Sequence, residues 1–159
     1  MNIEFEKAKL SDYKEIHTVM ETSAREISRK SYHKEVVDTF DKFYVEKTTD
    51  YIKQTLENPN NHTILAKSGE RIIGFIQLKV NKQTGTISHL YILPGYEGNS
   101  VGTQLFKRIK VKAMQLNINK LMLESTLNAL SYYERLGFKN NGLIPDGSAY
   151  ILEMELECV

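Results

Sequence analysis

The 159-residue chain balances 21 Lys and Arg against 20 Asp and Glu, is 41% hydrophobic and carries a net charge of +1. That length fits one domain burying roughly 70% of its unfolded surface, and so even a charge argues against a nucleic-acid binder or a polybasic membrane-surface protein. The single cysteine, Cys158, excludes an intrachain disulfide, and no His or basic cluster precedes it to activate the thiol.

The opening MNIEFEKAKLSDYKE is charged where a secretory leader needs an apolar core. No apolar run approaches the ~20 residues of a membrane span, so a cytoplasmic location is expected. Ile3 and Phe5 alternate with Glu4 and Glu6, which predicts a short half-buried strand. Asp12 with Glu15 three residues on reads as a capping box, opening a helix with the stripe Ile16, Val19 and Met20. Residues 22–50 are polar and broken; Val36, Val37 and Phe40 predict a second helix, and Ile52 with Leu56 a third. Asn58-Pro59-Asn60-Asn61 marks a loop.

Residues 63–66, the turn Ser68-Gly69-Glu70 and residues 71–80 predict a hairpin, with Ile72, Gly74, Ile76, Leu78 and Val80 on one face. A further strand over 86–93 is closed by Pro94-Gly95. A helix over 101–116 turns Leu105, Ile109, Ala113 and Leu116 inward, and residues 120–124 form a strand. A short helix over 128–136 stops at Gly137, the residue best suited to a left-handed cap. Tyr150, Leu152, Met154 and Leu156 alternate with Ile151, Glu153, Glu155 and Glu157 in a last strand with one wet face. Strands before, between and after helices make this an α/β chain, a single domain over 1–159 with one mixed sheet and helices on both faces.

Two segments carry chemistry. The first is a strand, then Pro94-Gly95-Tyr96-Glu97-Gly98-Asn99-Ser100-Val101-Gly102-Thr103, then a helix. Glycines between a strand end and a helix start let backbone N–H groups point together at the positive end of the helix dipole, a ready site for a diphosphate. The absence of Lys-Ser/Thr after Gly102 excludes a Walker A loop, and the glycine spacing excludes a dinucleotide fingerprint. A loop that uses glycine only to turn remains an equal alternative. The second is LNALSYYERLGF (127–138), where Ala129, Tyr132, Tyr133 and Leu136 share a helical stripe. Buried tyrosines usually serve the core, yet a phenol of pKa ~10 is also a competent proton donor to a departing thiolate.

In order and spacing, LYILPGYEGNSVGTQLF (90–106) and LNALSYYERLGF resemble the GNAT N-acetyltransferases, in which a strand runs into Q/R-x-x-G-x-G/A and a later helix carries N-A-x-x-[FY]-Y-E-x-L-G-F. IIGFIQL, AYILEMEL and the early helices sit where that family has them, so the resemblance covers nearly the whole chain. It implies a mostly antiparallel six- to seven-stranded sheet with a splayed strand pair for acetyl-CoA, and no metal. It implies that Leu90, Tyr91, Ile92 and Leu93 pair with the pantetheine arm, and that Gly98, Asn99, Ser100, Val101 and Gly102 cradle the diphosphate, with Glu97 and Thr103 at the ends of that loop. Asn128, beside Ala129, matches the residue that hydrogen-bonds the pantetheine, and Tyr133 the tyrosine that protonates the CoA thiolate. A neutral amine would attack the thioester directly, with the oxyanion held by a strand N–H near Ile92.

This chain departs from the pattern at Glu97, where the family prefers Gln or Arg, and at Ser100, where it prefers Gly. A carboxylate beside a phosphate is unfavourable, so Glu97 is expected to face solvent. The general base stays open between His89, whose unperturbed pKa of ~6.5 suits an ammonium proton, Glu124 and a water chain. His89 as a packed core residue and Glu124 as a solvated strand end are the bland alternatives. Strict alternation puts His89 on the face opposite Thr86 unless a bulge intervenes. The acceptor is expected against residues 22–40, with Tyr32 in the amine pocket, although a helix pair that merely covers the sheet fits equally. The competing functions are a GNAT-fold module that binds CoA or a protein without catalysis, and a structural domain, a homodimer through its last strand.

Overall fold

The computed structural model describes residues 2–31 and 49–157. In chain order these form β1 (Ile3–Lys7), a 3₁₀ turn (Leu10–Asp12), α1 (Tyr13–Ser31), α2 (Thr49–Glu57), β2 (Asn61–Ser68), β3 (Arg71–Asn81) and β4 (Thr84–Ile92). There follow α3 (Val101–Gln115), β5 (Lys120–Thr126), a 3₁₀ turn (Leu127–Ala129), α4 (Leu130–Arg135), β6 (Lys139–Leu143) and β7 (Ala149–Glu155). The seven strands make one sheet in the order β1-β2-β3-β4-β5-β7-β6. Five of the six neighbouring pairs are antiparallel, and β4 with β5 is the parallel exception.

Register fixes which helix covers which face. Gln77 donates from Nε2 to Thr55 Oγ1 of α2 at 3.2 Å, so α2 lies over the Gln77 face. Phe5 pairs with Ala66, which pairs with Gly74, and the Arg108 guanidinium of α3 lies 4.2 Å from the Phe5 ring centre. That puts α3 on the face of Gly74, Ile76 and Leu78. β3 is therefore buried from both sides, continuously over Ile72, Ile73, Gly74, Phe75, Ile76, Gln77 and Leu78. A strand covered on both faces loses the polar alternation of a half-wet one, which is why this run is so apolar. Ile16, Val19, Met20 and Ile52 close one side of the core, and Leu105, Ile109 and Ala113 the other. Each such side chain contributes about 1.5–3 kcal/mol when removed from water.

Several local expectations change. Glu15 does not close a capping box: its Oε1 accepts the Ile72 N–H at 2.8 Å, while Asp12 Oδ2 takes the Lys9 N–H at 2.7 Å. A long-range acceptor position outcompetes the local one because the Ile72 N–H sits at a β-bulge. There Lys67 pairs with Ile72 and Ala66 with Gly74, so Ile72 lies on the face opposite Gly74 and Ile76, not with them. Leu116 falls just past α3 and is 36% exposed; Ile118, at 1%, takes the inward place. The helix expected over 128–136 is a 3₁₀ turn followed by α4. β6, KNNGL, is exposed at every position and has no apolar alternation to announce it. The helix suggested by Val36, Val37 and Phe40 lies outside the described residues.

Gly74 holds β3 against β4. A Cβ there would stand 2.7 Å from Ile92 Cδ1 and 2.9 Å from the Tyr91 carbonyl oxygen, the latter a contact that only a backbone shift could relieve. Gly74→Ala is expected to destabilise the fold by about 1–3 kcal/mol, read as a lower urea midpoint, as overpacking of a filled interior does.

Candidate active site

β4 and β5 pair at only three positions, Thr84–Lys120, Gly85–Leu121 and Thr86–Met122, and then part. Where they part, β4 is bulged: Leu78 faces Ile87 and Gln77 faces His89, which leaves Ser88 as the extra residue. A bulge bends and over-twists its strand. It also moves His89 onto the face of Thr86, since Lys79 and Gln77, their β3 partners, are two residues apart. Beyond the bulge, Leu93 N–H donates to the Ile73 carbonyl at 2.7 Å, so alternation turns the Ile92 backbone groups to the open edge. There the Ile92 carbonyl accepts the Ser23 hydroxyl of α1 at 2.9 Å.

Between β4 and α3 the chain passes through three residues of positive φ, Gly95 (φ 92°), Gly98 (φ 81°) and Ser100 (φ 60°). Such a turn at a helix start lets backbone N–H groups gather round an anion, and the first turn of α3 holds no acidic side chain. Glu97 does not project toward such an anion. Its Oε2 accepts the Gly95 N–H at 2.9 Å and stitches the turn instead. The Ser100 hydroxyl makes no capping hydrogen bond. A Cβ at Gly102 would come within 3.1 Å of the Tyr132 hydroxyl, which lies 3.3 Å from Thr103 Oγ1. A larger residue at Gly102 would therefore push first on Tyr132.

Between the parted strands and this loop lies a cavity of about 750 Å³. Leu90, Tyr91, Ile92, Glu97, Gly98, Ser100, Val101, Gly102, Thr103, Asn128, Ala129 and Tyr133 border it, together with His89 and Glu124. Leu93 is buried beneath it, and Asn99 turns its amide to the Tyr96 carbonyl at 3.2 Å; neither borders the cavity. Tyr32 lies outside the described residues. The residues and volume suit a CoA thioester: donors at one end, an open strand edge along its length, and acid–base side chains at the other.

Tyr133 is wedged edge-on against Tyr132 at 5.2 Å and Phe138 at 5.9 Å. Burial, and then the neighbouring Tyr132, push its phenol up to about 12. Among the described residues its hydroxyl has no hydrogen-bond partner, which a tyrosine serving only the core would normally find. The residue that holds this proton borders the cavity.

His89 sits differently. It is 8% exposed, between the rings of Phe75, Tyr91 and Tyr51. Thr55 donates its only proton to the Ile52 carbonyl at 2.9 Å, so it must be Gln77 Nε2, not Oε1, that faces Thr55. Gln77 Oε1 is then left for the Ser88 hydroxyl at 3.1 Å. That spends the serine proton, so His89 Nδ1 carries the hydrogen of its 2.9 Å contact with Ser88, and Nε2 accepts from the Tyr51 hydroxyl at 3.3 Å. Both ring nitrogens are engaged in holding the bulge. Glu124 is exposed, and it shares a face with Met122 and hence with Thr86. Glu26 of α1 also borders the cavity and was missed in the sequence. Its signal is there: it continues the inward stripe Ile16, Val19, Ser23.

Ser100 is a β-carbon residue held at a φ that favours glycine. Ser100→Gly is expected to raise stability by about 0.5 kcal/mol, and Ser100→Val to lower it by about 1–3 kcal/mol, measured by thermal unfolding.

Among the described residues no group of three His, Cys, Asp or Glu could hold a metal ion, and no helix is long and apolar enough to cross a membrane. Residues 28–147 match the family model of the acetyltransferase (GNAT) domain. A spermidine N(1)-acetyltransferase from Thermoplasma acidophilum is 26% identical, over 99% of both chains. An uncharacterized N-acetyltransferase from Mycobacterium bovis is 28% identical, over 55% of this chain and 58% of that one. Among solved structures, the PaiA N-acetyltransferase of Thermoplasma acidophilum, in complex with coenzyme A, superposes with a TM-score of 0.82 at 24% identity, covering 98% of this chain and 100% of that one. The ribosomal-protein-S18-alanine N-acetyltransferase of Escherichia coli gives 0.74 at 12% identity, covering 99% and 96%. With the acetyltransferase (GNAT) model spanning most of the chain, the protein belongs to the GNAT family of acetyl-CoA-dependent N-acetyltransferases.

Proposed function

We propose that the cleft transfers an acetyl group from acetyl-CoA to a primary amine of a small cationic molecule of the polyamine kind. The observation that carries this is the exposed Glu124 carboxylate in a cavity wall that, among the described residues, no Lys or Arg borders. Such a wall attracts ammonium groups and repels carboxylates. The spermidine acetyltransferase, similar along its full length, supports the same reading.

Acetyl-CoA supplies an acyl thioester whose departing sulfur needs a proton. The left-handed Gly98–Ser100 turn and the start of α3 would hold its diphosphate by N–H groups, with no ammonium or guanidinium in the lining among the described residues. The free Ile92 N–H at the open edge of β4 faces where the carbonyl oxygen becomes an oxyanion. Glu124 takes the proton of the attacking amine, directly or through one water, because it is exposed in the cleft while both nitrogens of His89 are committed. Tyr133 gives its proton to the sulfur. With its phenol at about 12, it remains a donor across the whole working range.

Steady-state thiol release with spermidine tests the assignment. Tyr133→Phe is expected to lower kcat roughly 10²-fold or more with CoA affinity nearly unchanged. Glu124→Gln should lower the rate most at low pH, where amine deprotonation limits. An anionic amino acid should be a poor acceptor beside spermidine. Full activity in Tyr133→Phe would reduce that residue to packing, and CoA binding without thiol release from any amine would leave a binding module. Tyr133 also predicts a stability profile. Its folded pKa lies above the unfolded ~10, so its contribution is complete below pH ~10 and is lost between pH ~10 and about 12; Tyr133→Phe should flatten that fall.

A further inference from the structure

A second cavity, of about 240 Å³, lies on the α3-covered face at the β1–β2 end of the sheet, away from the parted strands. Phe5 and Lys7 of β1, His62 and Ile64 of β2, and Arg108 and Lys112 of α3 enclose it. The two-residue period of the strands and the four-residue period of the helix bring these side chains to one place. Arg108 places its guanidinium over the Phe5 ring, 4.2 Å from its centre.

The basic groups here are not answered by carboxylates. Glu6 borders the cavity, but its Oε1 is 2.6 Å from Lys67 Nζ. Among the described residues, Lys7, Arg108 and Lys112 form no ion pair. α3 itself, VGTQLFKRIKVKAMQ, contains no acidic residue. The crowding is felt at His62, whose imidazole is held below its ordinary range by burial, then by the charges of Lys112 and Lys7. Like charges gathered in a hollow repel one another, and a bound anion would relieve all of them together.

We propose that this cavity binds a small oxyanion carrying two or more negative charges. Arg108 offers a planar fork of donors, Lys7 and Lys112 offer compact charges, and His62 adds a ring N–H, the donor set that suits phosphate or polycarboxylate oxygens. The site is independent of acetyl transfer.

The test follows the His62 imidazole signal by NMR during pH titrations in sodium chloride, sodium phosphate or sodium citrate at equal ionic strength, in protein saturated with CoA and in protein without it. CoA occupies the diphosphate loop, so a response that survives it belongs to this cavity. The expected result is a saturable shift with phosphate, citrate or both, and a raised His62 pKa, since an anion favours the imidazolium. A response to phosphate alone identifies phosphomonoesters as the ligand source, and one to citrate alone polycarboxylates. Arg108→Gln combined with Lys112→Gln should weaken half-saturation at least about tenfold, as loss of charge-assisted hydrogen bonds does, and leave acetyl transfer unchanged. Arg108→Lys, which keeps the charge and loses the fork, should fall between. Equal behaviour of His62 in all three salts, or variants that bind as the native chain does, would overturn the site. Failure of CoA to bind would count against the cleft and not against this cavity.

Discussion

The parallel pairing of β4 with β5 ends at Thr86–Met122 because β4 cannot run straight beyond it. The extra residue Ser88 bends the strand, and the bend is pinned from behind by the Ser88–Gln77–Thr55 chain of hydrogen bonds and by His89. Two strands that would otherwise continue their ladder instead enclose a wedge-shaped opening. Backbone groups on the freed edge need partners. The Ile92 carbonyl finds Ser23, and its N–H lies at the open edge. The cofactor cleft is thus what remains when one pairing is interrupted inside an otherwise regular sheet, and the polar cluster under the bulge is its support.

This accounts for an arrangement that is unusual in a core. Gln77 is 2% exposed and would be costly to bury without partners. Its amide is fully used by Thr55, Thr63 and Ser88. The requirement that each donor meet an acceptor propagates from Thr55 outward and ends by selecting the tautomer of a histidine at the edge of the cleft. A buried network satisfied at every member specifies one geometry and excludes its neighbours.

Much of this was legible in the sequence. The order of strands and helices, the glycine-bearing loop, the inward stripe of α3 and the position of Tyr133 follow from periodicity, turn residues and motif spacing, because each depends on residues close together in the chain. Other features depend on partners far away and left little local trace. The bulge at Ser88 becomes visible only when β3 is laid beside β4, so His89 could not be placed on a face by counting. Glu15 reads as a cap until Ile72, 57 residues on, presents its N–H. β6 has neither apolar alternation nor turn signals that separate it from a loop, and it becomes a strand because β7 offers it an edge. The left-handed Ser100 departs from the glycine the motif prefers, and the surrounding loop holds it there.

The net charge of +1 conceals how unevenly the charge is placed. Glu124 stands exposed in the cleft, whereas Lys107, Arg108, Lys110 and Lys112 crowd the far half of α3. Among the described residues, then, a basic helix face stands apart from the Glu124 carboxylate in the cleft. Where screening is weak, as in dilute buffer, such separated charges bias how a charged partner approaches before any contact is made. As ionic strength rises and the screening length contracts toward ~8 Å, this bias fades, and encounters revert to unaided diffusion.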